Sequence, residues 1–329
     1  MKADNIIKKG KTKVKRRRFV STLAFSGVAI PFLNVAGYDL SVPQSKSDRH
    51  IHIFSKPLQW LSWEGAAELI AESGAEGIDI PVRLGGHVLP EKVKTDLPLA
   101  VAAARKNGLK VEMIVTDITR ADEKYTEDIL QTASELGIKY YRLGYLNYDD
   151  KISVWDTLQN YKPQLKKLET VNRKYNIHGA YQNHYGTRVG GPVWDLFELL
   201  RELDPQYIGC QYDVRHAVAE ASASWVNGLK LIAPWVKCTD IKDFKWSVAA
   251  NGKWNPESVP IGKGAVDFNE YFKIVKNFNI GGPVSIHLEY PPFERFNEKL
   301  TDAEKRKLFV TEMKKDVDTL KSFLLKFQL

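Results

Sequence analysis

Eight short runs of strand-forming residues alternate with helical patterns from about residue 48 onwards, and this alternation constrains the fold most. The runs are rich in Ile, Val and Tyr and lack the polar alternation of a one-sided sheet, which indicates strands buried on both faces. We predict strands at His50–Phe54, Gly77–Ile80, Lys110–Val115, Tyr140–Leu143, His178–Asn183, Ile208–Tyr212, Val236–Ile241 and Val284–Tyr290. Eight such units predict an α/β fold with one domain, a (β/α)8 TIM barrel. A doubly wound open sheet is the alternative, but no G-x-G-x-x-G loop follows the first strand.

Helical patterns separate these strands. We predict helices at Trp63–Ser73, Leu97–Asn107, Lys124–Leu136, Trp155–Tyr175, Trp194–Leu203, Ser222–Ala233, Phe268–Phe278 and Lys299–Phe327. Pro163 lies inside the fourth pattern and should kink that helix or shorten its start, because proline lacks an amide hydrogen. Thr301 and Glu304 form a capping-box pattern at the start of the last helix, which is long enough to pack against a second copy in a homo-oligomer.

The excess positive charge is confined to the start of the chain. The net charge of +8 would favour a nucleic-acid or membrane partner, but residues 1–36 hold nine basic residues and one acidic residue, which accounts for all of it. The uncharged run 19–30 is too short to span a bilayer and has the size of a signal-peptide core. The preceding Arg16-Arg17-Arg18-Phe19 is typical of a twin-arginine signal.

We therefore expect residues 1–36 to be a removable export signal and residues 37–329 to be the barrel. The mature protein would be periplasmic, with no nucleic-acid partner and no membrane partner.

Cys210 and Cys238 are the two cysteines, and each lies in an apolar strand pattern. An exported protein can pair them, but buried free thiols fit the same pattern, so both possibilities stay open.

Polar side chains follow almost every predicted strand. In a parallel barrel the C-terminal strand ends meet at one face, where the active sites of such barrels lie. The residues predicted at this face are His50, His52, Asp79, Arg83, His87, Asp117, Arg142, Gln182, His184, Asp213, His216, Asp240, Lys242, Asp243, His287 and Glu289. Helix caps or solvated loops explain any one of them, whereas their convergence indicates a polar, catalytic pocket.

Several motifs in this region resemble a known family. Asp213-x-x-His216, Lys242-Asp243, Pro260-Ile-Gly-Lys-Gly-Ala-Val-Asp267 and His287-x-Glu289 follow one another as in the xylose isomerase-like superfamily of sugar isomerases and epimerases. The resemblance covers roughly residues 48–295. Gly85-Gly86-His87 and Gln182-Asn183-His184 resemble an exported branch of that superfamily.

The resemblance implies one divalent cation, held by Glu, Asp, His and Glu from strands five to eight. The corresponding positions here are Gln182, Asp213, Asp240 and Glu289, so two of the four ligands match. A glutamine ligand brings no charge and has no titratable proton. An aspartate in place of the histidine favours Mn²⁺ or Mg²⁺, with Zn²⁺ as the alternative. In another arrangement His184 and His216 supply nitrogen ligands.

Such a pocket suits proton abstraction next to a carbonyl of a carbohydrate. Glu289 and His184 are the candidate bases, and Lys242 is the third candidate catalytic residue. The candidates for binding the substrate are His87, Arg142, His216, Trp246 and His287.

The reaction class has three possibilities. The resemblance implies an isomerase or epimerase. Because Gln182 leaves only Glu289 of the family's two carboxylates, elimination or hydration of a keto-sugar or keto-glycoside by a lyase or dehydratase is the close alternative. A non-catalytic sugar-binding protein is the third class. A DNA-repair endonuclease on the same barrel is disfavoured by the balanced charge of residues 37–329.

The longest predicted loop, Phe244–Pro260, is rich in Trp, Asn and Gly and is a candidate lid. Trp246 and Trp254 lie in this loop, and Trp60 lies in another. An indole face can stack on a sugar ring, whereas packing of the loops onto the barrel explains the same residues.

Overall fold

The computed structural model of the protein describes residues 49–294 and 300–329. The predicted export signal, residues 1–36, lies outside the described residues. Within the described ranges no helix is both long enough and apolar enough to cross a membrane.

A closed barrel of eight parallel strands forms the centre of the fold. The strands of the described chain are β1 (Ile51–Phe54), β2 (Gly77–Pro81), β3 (Met113–Val115), β4 (Tyr140–Arg142), β5 (His178–Gln182), β6 (Ile208–Asp213), β7 (Val236–Ile241), β8 (Asp243–Val248), β9 (Trp254–Val259) and β10 (Val284–Ile286). The barrel order is β1-β10-β7-β6-β5-β4-β3-β2, and Val284 of β10 pairs with Ile51 of β1 to close it. All eight predicted strands are present, and the predicted (β/α)8 fold is confirmed.

Helices surround the barrel. Those of the described chain are α1 (Trp63–Glu72), α2 (Val93–Lys106), α3 (Thr126–Glu135), α4 (Val154–Tyr175), α5 (Val193–Leu200), α6 (Val214–Ala221), α7 (Trp225–Ile232), α8 (Phe268–Asn277) and α9 (Asp302–Phe327). Helix α4 runs through Pro163, so the proline does not shorten its start. The predicted capping box of Thr301 and Glu304 begins α9, which buries Phe309, Met313 and Val317 against the barrel core.

Helix α6 was not predicted as a separate element. It follows β6 without a loop because Asp213, the last residue of that strand, also caps the helix: its Oδ1 accepts from the backbone amide of His216 at 3.0 Å. An aspartate at this position satisfies one of the free amides of a helix N-terminus. The arrangement places His216 within one turn of the strand end.

The predicted loop Phe244–Pro260 is largely a β-hairpin, which corrects the sequence interpretation. Strands β8 and β9 pair antiparallel, with Trp246 opposite Pro256, and form a sheet separate from the barrel. The turn between them contains Asn251 and Gly252, and Gly252 has a φ of +78°. An Asn-Gly pair flanked by strand-forming residues is a strong hairpin signal, and the sequence contains that pair here.

The placement of His50 and His52 at the functional end of the barrel was wrong. His50 precedes β1, and its Nδ1 lies 2.9 Å from Glu112, which precedes β3. Because the strands are parallel and both residues precede their strands, this contact lies at the N-terminal end of the barrel. His52 is fully buried at the same end, where its ring packs close to Gly77.

Cys210 and Cys238 are buried and are not disulfide-bonded, which settles the open alternative in favour of free thiols.

The Gly-x-Gly-x-Val element serves to anchor a loop. The carboxylate of Asp243 accepts from the backbone amides of Gly262 at 3.0 Å, Gly264 at 2.7 Å and Val266 at 3.1 Å. It also accepts from the amide of Phe244 at 2.8 Å. A Cβ at position 264 would collide with the Phe244 carbonyl oxygen and with this carboxylate, so only glycine fits.

A carboxylate is also buried inside the barrel. Asp79 on β2 is fully buried, and its Oδ2 accepts from the Ser285 hydroxyl at 2.9 Å, while Oδ1 has no partner among the described residues. Burial disfavours the charged form and raises the pKa of Asp79 to about 7. The carboxyl is therefore close to half-protonated at neutral pH.

We predict that Asp243→Asn destabilises the fold by about 2 kcal/mol or more, because in either orientation its amide nitrogen would face two backbone amides that need an acceptor. Urea unfolding measures the loss, and hydrogen exchange of residues 260–267 should accelerate. Lys263→Ala, an exposed position in the same loop, is the control and should change neither quantity. An Asp243→Asn variant as stable as the wild type would contradict the anchoring role.

We predict that Asp79→Asn flattens the dependence of stability on pH. A carboxyl with a raised folded-state pKa stabilises the fold below its unfolded pKa near 4, and this contribution is lost as pH rises through about 7. The wild type should therefore lose up to about 4 kcal/mol relative to Asp79→Asn between pH 4 and pH 8. Thermal unfolding at several pH values tests this, with the exposed Asp318→Asn as the control. Parallel pH profiles for all three proteins would refute it.

Candidate active site

Gln182 connects the polar groups at the C-terminal ends of β5, β6 and β7. Its Nε2 donates to Asp213 Oδ2 at 2.9 Å and to Asp240 Oδ2 at 2.6 Å. Its Oε1 accepts from Arg142 Nη1 at 3.0 Å and from the Tyr145 hydroxyl. Four predicted residues, Arg142 on β4 and Gln182, Asp213 and Asp240 on the next three strands, are thus brought together in one buried hydrogen-bonded cluster.

The opposite orientation of the Gln182 amide is disfavoured by its surroundings. It would place a carbonyl oxygen against two carboxylates and an NH₂ group against the Arg142 guanidinium. The carboxylates on one side require Nε2, and the Arg142 guanidinium on the other side requires Oε1. Both sides therefore determine the same amide orientation.

The ammonium group of Lys242, just after β7, lies at the centre of the site. Its Nζ donates to Asp213 Oδ2 at 2.8 Å and to Glu289 Oε2 at 3.2 Å, and His216 Nε2 lies 3.0 Å away. The side chain is only 3% exposed. Burial opposes the charged form, but Asp213 and Glu289 outweigh it and raise the pKa of Lys242 above its ordinary value. Lys242 is therefore a buried cation.

Glu289, after β10, joins the cluster from the other side and remains partly accessible, with 26% of its side chain exposed. Burial alone would raise its pKa, but the Lys242 ammonium, with help from His287, lowers the pKa of Glu289 to about 2. The carboxylate is ionised throughout the neutral range. His287 Nε2 lies 3.2 Å from Asp240 Oδ1, and its ring stacks on Phe54 with centroids 4.5 Å apart.

His184 and His216 lie face to face, with ring centroids 3.9 Å apart. His184 Nδ1 is 2.8 Å from the Tyr185 carbonyl oxygen, which can only accept, so Nδ1 carries the hydrogen and Nε2 is the accepting atom of the neutral ring. Burial lowers the pKa of His184 below its ordinary value. Burial and then the nearby Lys242 lower the pKa of His216 further, and both rings are neutral at pH 7.

A cavity of about 730 Å³ opens above this cluster. His184, Arg215, His216 and Glu289 line one side, and residues 247–250 and 255–258 of the hairpin line another. A second cavity of about 530 Å³ shares Glu289 and is lined by Trp60. The hairpin therefore forms a wall of the main cavity.

Of the five predicted substrate-binding residues, only His216 lines this cavity. Trp246 packs edge-on against Phe244 and Tyr185, with centroids 5.4 and 6.4 Å away, and is not among the residues that line the main cavity. His87 Nδ1 is 3.0 Å from the Ser55 hydroxyl, at the ends of β1 and β2. Arg142, His216 and His287 are within the cluster, as predicted.

Gln211, Tyr145 and Arg215 belong to the site but were not predicted. Gln211 Nε2 donates to Asp240 Oδ1 at 2.7 Å, and Arg215 Nη1 lies 3.0 Å from His216 Nδ1. Gln211 was identifiable from the sequence because it is two residues before Asp213 on one strand, and alternate strand residues share a face. Tyr145 lies in a loop three residues after Arg142, where no periodicity marks it.

The residues at the four predicted ligand positions do not fit a divalent cation. Within the described ranges no group of three or more His, Cys, Asp or Glu side chains has the arrangement to hold one. A metal ligand needs a free oxygen or nitrogen lone pair directed at the ion. Here the Lys242 ammonium and the Gln182 NH₂ group point at the carboxylates instead.

Solved structures with the same fold include a protein with a bound zinc atom, a sugar epimerase and a probable dehydratase. A 1.8 Å crystal structure of the IolI protein with a binding zinc atom has a TM-score of 0.62 and 18% identity, covering 82% of this chain and 97% of that one. D-psicose 3-epimerase with D-tagatose from Clostridium cellulolyticum H10 has a TM-score of 0.62 and 11% identity, covering 84% and 99%. The probable 3-DHS dehydratase AsbF from Bacillus anthracis has a TM-score of 0.58 and 15% identity, covering 80% and 97%.

At these identities the similarity establishes a shared fold and not a shared reaction. No curated protein matches the sequence of the chain. The family model described as xylose isomerase-like TIM barrel matches residues 67–314, which is most of the barrel. The chain therefore belongs to the xylose isomerase-like TIM barrel family.

Proposed function

We propose that the protein is an enzyme that removes a proton next to a carbonyl group of a carbohydrate. The observation that carries this proposal is the pairing of a neutral imidazole, His184, with an ionised carboxylate, Glu289, on the wall of one cavity above a buried ammonium. A proton acceptor and a fixed positive charge are the two requirements for forming and stabilising an enediolate.

His184 is the stronger of the two candidate bases. Its Nε2 retains a lone pair because Nδ1 donates to the Tyr185 carbonyl. Glu289 has a pKa held near 2, so it accepts a proton much less readily. In this assignment Glu289 accepts hydrogen bonds from substrate hydroxyl groups, Lys242 supplies a fixed positive charge beneath them, and His184 moves the proton.

Arg142 provides a second positive charge at the site. Its Nε and Nη2 are buried and have no hydrogen-bond partner among the described residues, whereas Nη1 is bonded to Gln182 and Tyr145. Buried donors without partners are unfavourable unless a ligand satisfies them. We assign Arg142 and Lys242 to the stabilisation of the negative oxygen that develops when the proton leaves.

The family and the similarity to sugar epimerases support an isomerase or epimerase as the first candidate reaction. One observation favours elimination as the second. Epimerisation by two bases needs an acceptor on each face of the sugar, and Gln182 supplies an amide where a carboxylate would be needed. Elimination from a keto-sugar or keto-glycoside needs one base, and the similarity to a probable dehydratase is consistent with it.

The main cavity is large enough for more than a single sugar ring. Its volume of about 730 Å³ is within the range of sites that bind drug-sized ligands. The hairpin wall contributes Ser247, Asn255 and Glu257, whose side chains can bond to hydroxyl groups. A glycoside or disaccharide is the substrate class that fits.

We also propose that the protein is exported to the periplasm and forms a homo-oligomer. We propose that it has no nucleic-acid partner and no membrane partner.

Incubation with keto-sugars and keto-glycosides in D₂O tests the proposed reaction. Deuterium at the carbon next to the carbonyl without loss of water identifies an isomerase or epimerase, whereas an unsaturated product or a released aglycone identifies a lyase. His184→Ala should lower kcat at least about 100-fold, as expected for loss of a general base. Glu289→Gln should also reduce turnover, because Lys242 loses a charged partner.

His50→Ala is the matched control, because it removes an imidazole from the opposite end of the barrel. Tight sugar binding without exchange or product would replace the proposal with the non-catalytic sugar-binding protein. Full activity of His184→Ala would refute the assignment of the base.

We predict that Asn255→Ala raises KM for glycosides by about 10-fold and changes kcat by less than about 2-fold. The expected size corresponds to the loss of one hydrogen bond to the substrate, away from the reacting carbon. Trp254→Ala is the control, because this neighbouring side chain is 64% exposed and is not among the residues that line the cavity. Steady-state kinetics distinguish the two, and equal effects would argue against the hairpin as a wall of the binding site.

A further inference from the structure

We propose that the Lys242 ammonium takes the place of the divalent cation in this barrel, and that the folded protein binds no metal ion between β5, β6, β7 and β10. This inference concerns the cofactor requirement of the proposed active site. Measurement of metal binding tests it, and it does not require the proposed reaction to be correct.

The first argument is that both oxygens of Asp213 already accept hydrogen bonds from the protein. Its Oδ2 accepts from Lys242 at 2.8 Å and from Gln182 at 2.9 Å, and its Oδ1 accepts from the amide of His216 at 3.0 Å. Asp213 is fully buried, so these bonds are not exchanged with water. A cation would have to displace a hydrogen-bonded ammonium to reach Oδ2.

Asp240 is committed in the same way. Its Oδ2 accepts from Gln182 at 2.6 Å and its Oδ1 from Gln211 at 2.7 Å, and it is also fully buried. Two amide groups therefore hold the two oxygens of this carboxylate. Because Gln211 donates from β6, Asp240 Oδ1 keeps its hydrogen bond whatever the orientation of Gln182.

Gln182 cannot turn to offer its oxygen as a ligand. The oxygen is bonded to Arg142 and Tyr145, and a turned amide would set its NH₂ group against the Arg142 guanidinium. A buried donor facing a cation, together with a buried oxygen facing two carboxylates, would cost several hydrogen bonds at once. The amide therefore presents a donor where a metal site needs an acceptor.

Charge balance favours the same conclusion. Asp213, Asp240 and Glu289 carry three negative charges, which the positive charges of Lys242, Arg142 and Arg215 balance in the same site. A divalent ion added to this set would leave two uncompensated positive charges and would lie within a few ångströms of the ammonium. Such a site would be stable only if Lys242 left Asp213 and Glu289.

Metal binding by the purified wild-type protein is the direct test. Elemental analysis of protein prepared without chelators should show less than about 0.1 equivalent of Mn, Zn, Mg or Fe per chain. Titration calorimetry with Mn²⁺ and Zn²⁺ should show no binding at the site, and EDTA should leave Tm unchanged. One equivalent of bound cation that Asp213→Asn abolishes would overturn the proposal.

A variant with a restored metal site provides the second test. Gln182→Glu combined with Lys242→Met supplies an oxygen ligand and removes the ammonium. Without metal this variant should be less stable than the wild type, because its carboxylates lose their partners. Addition of 1 mM Mn²⁺ should raise its Tm by about 5 °C or more.

Gln182→Glu alone is the matched control, because it keeps Lys242 in place. It should show no Tm shift with Mn²⁺ if the ammonium occupies the cation position. A shift equal to that of the double variant would contradict the role of Lys242. If the double variant does not fold, the wild-type titration still decides the proposal. A metal-free protein without activity on keto-sugars would refute the proposed function and leave this inference intact.

Discussion

The burial of one ammonium group among carboxylates is the interaction on which the rest of the site depends. A lysine with only 3% of its side chain exposed is stable as a cation only where opposite charges and acceptors surround it. Asp213 and Glu289 supply the two negative charges from different elements, and His216 lies beside the ammonium. In return, the ammonium lowers the pKa of Glu289 and so keeps it ionised, and it adds to the effect of burial in lowering the pKa of His216.

The barrel makes this arrangement possible by aligning the ends of neighbouring strands. Gln182 on β5 pairs with Gln211 on β6, and Asp213 on β6 pairs with Asp240 on β7. Pairing at the same height places their side chains within hydrogen-bond distance without any contribution from loops. The loop after β9 is fixed separately, because the Asp243 carboxylate binds the amides of residues 262–266. A rigid strand framework thus holds the charged groups, and anchored backbone holds the cavity walls.

The sequence predicted the barrel and most members of the cluster, but not Gln211, Tyr145 and Arg215, and not how the members interact. Buried apolar strands and their polar ends are local features, so the positions of Gln182, Asp213, Asp240 and Glu289 could be predicted together. The donor direction of the Gln182 amide could not, because Arg142 and Tyr145 determine it from another strand and a loop. The error over His50 has a related cause: a histidine next to a strand does not reveal which end of the strand it is on.

The replacement of a metal ion by an ammonium would change what the site can do in the proposed reaction. A divalent ion binds two substrate oxygens at once, whereas an ammonium offers three directional donors and a single charge. Stabilisation of the enediolate would then need a second cation, and the Arg142 guanidinium, with two buried donors that lack partners in the described chain, is placed to provide it. This division between two fixed cations is asymmetric, and so is the assignment of proton transfer to His184 rather than to Glu289. A site with one base acts on one face of the sugar, which suits elimination better than the inversion of a carbon by two bases.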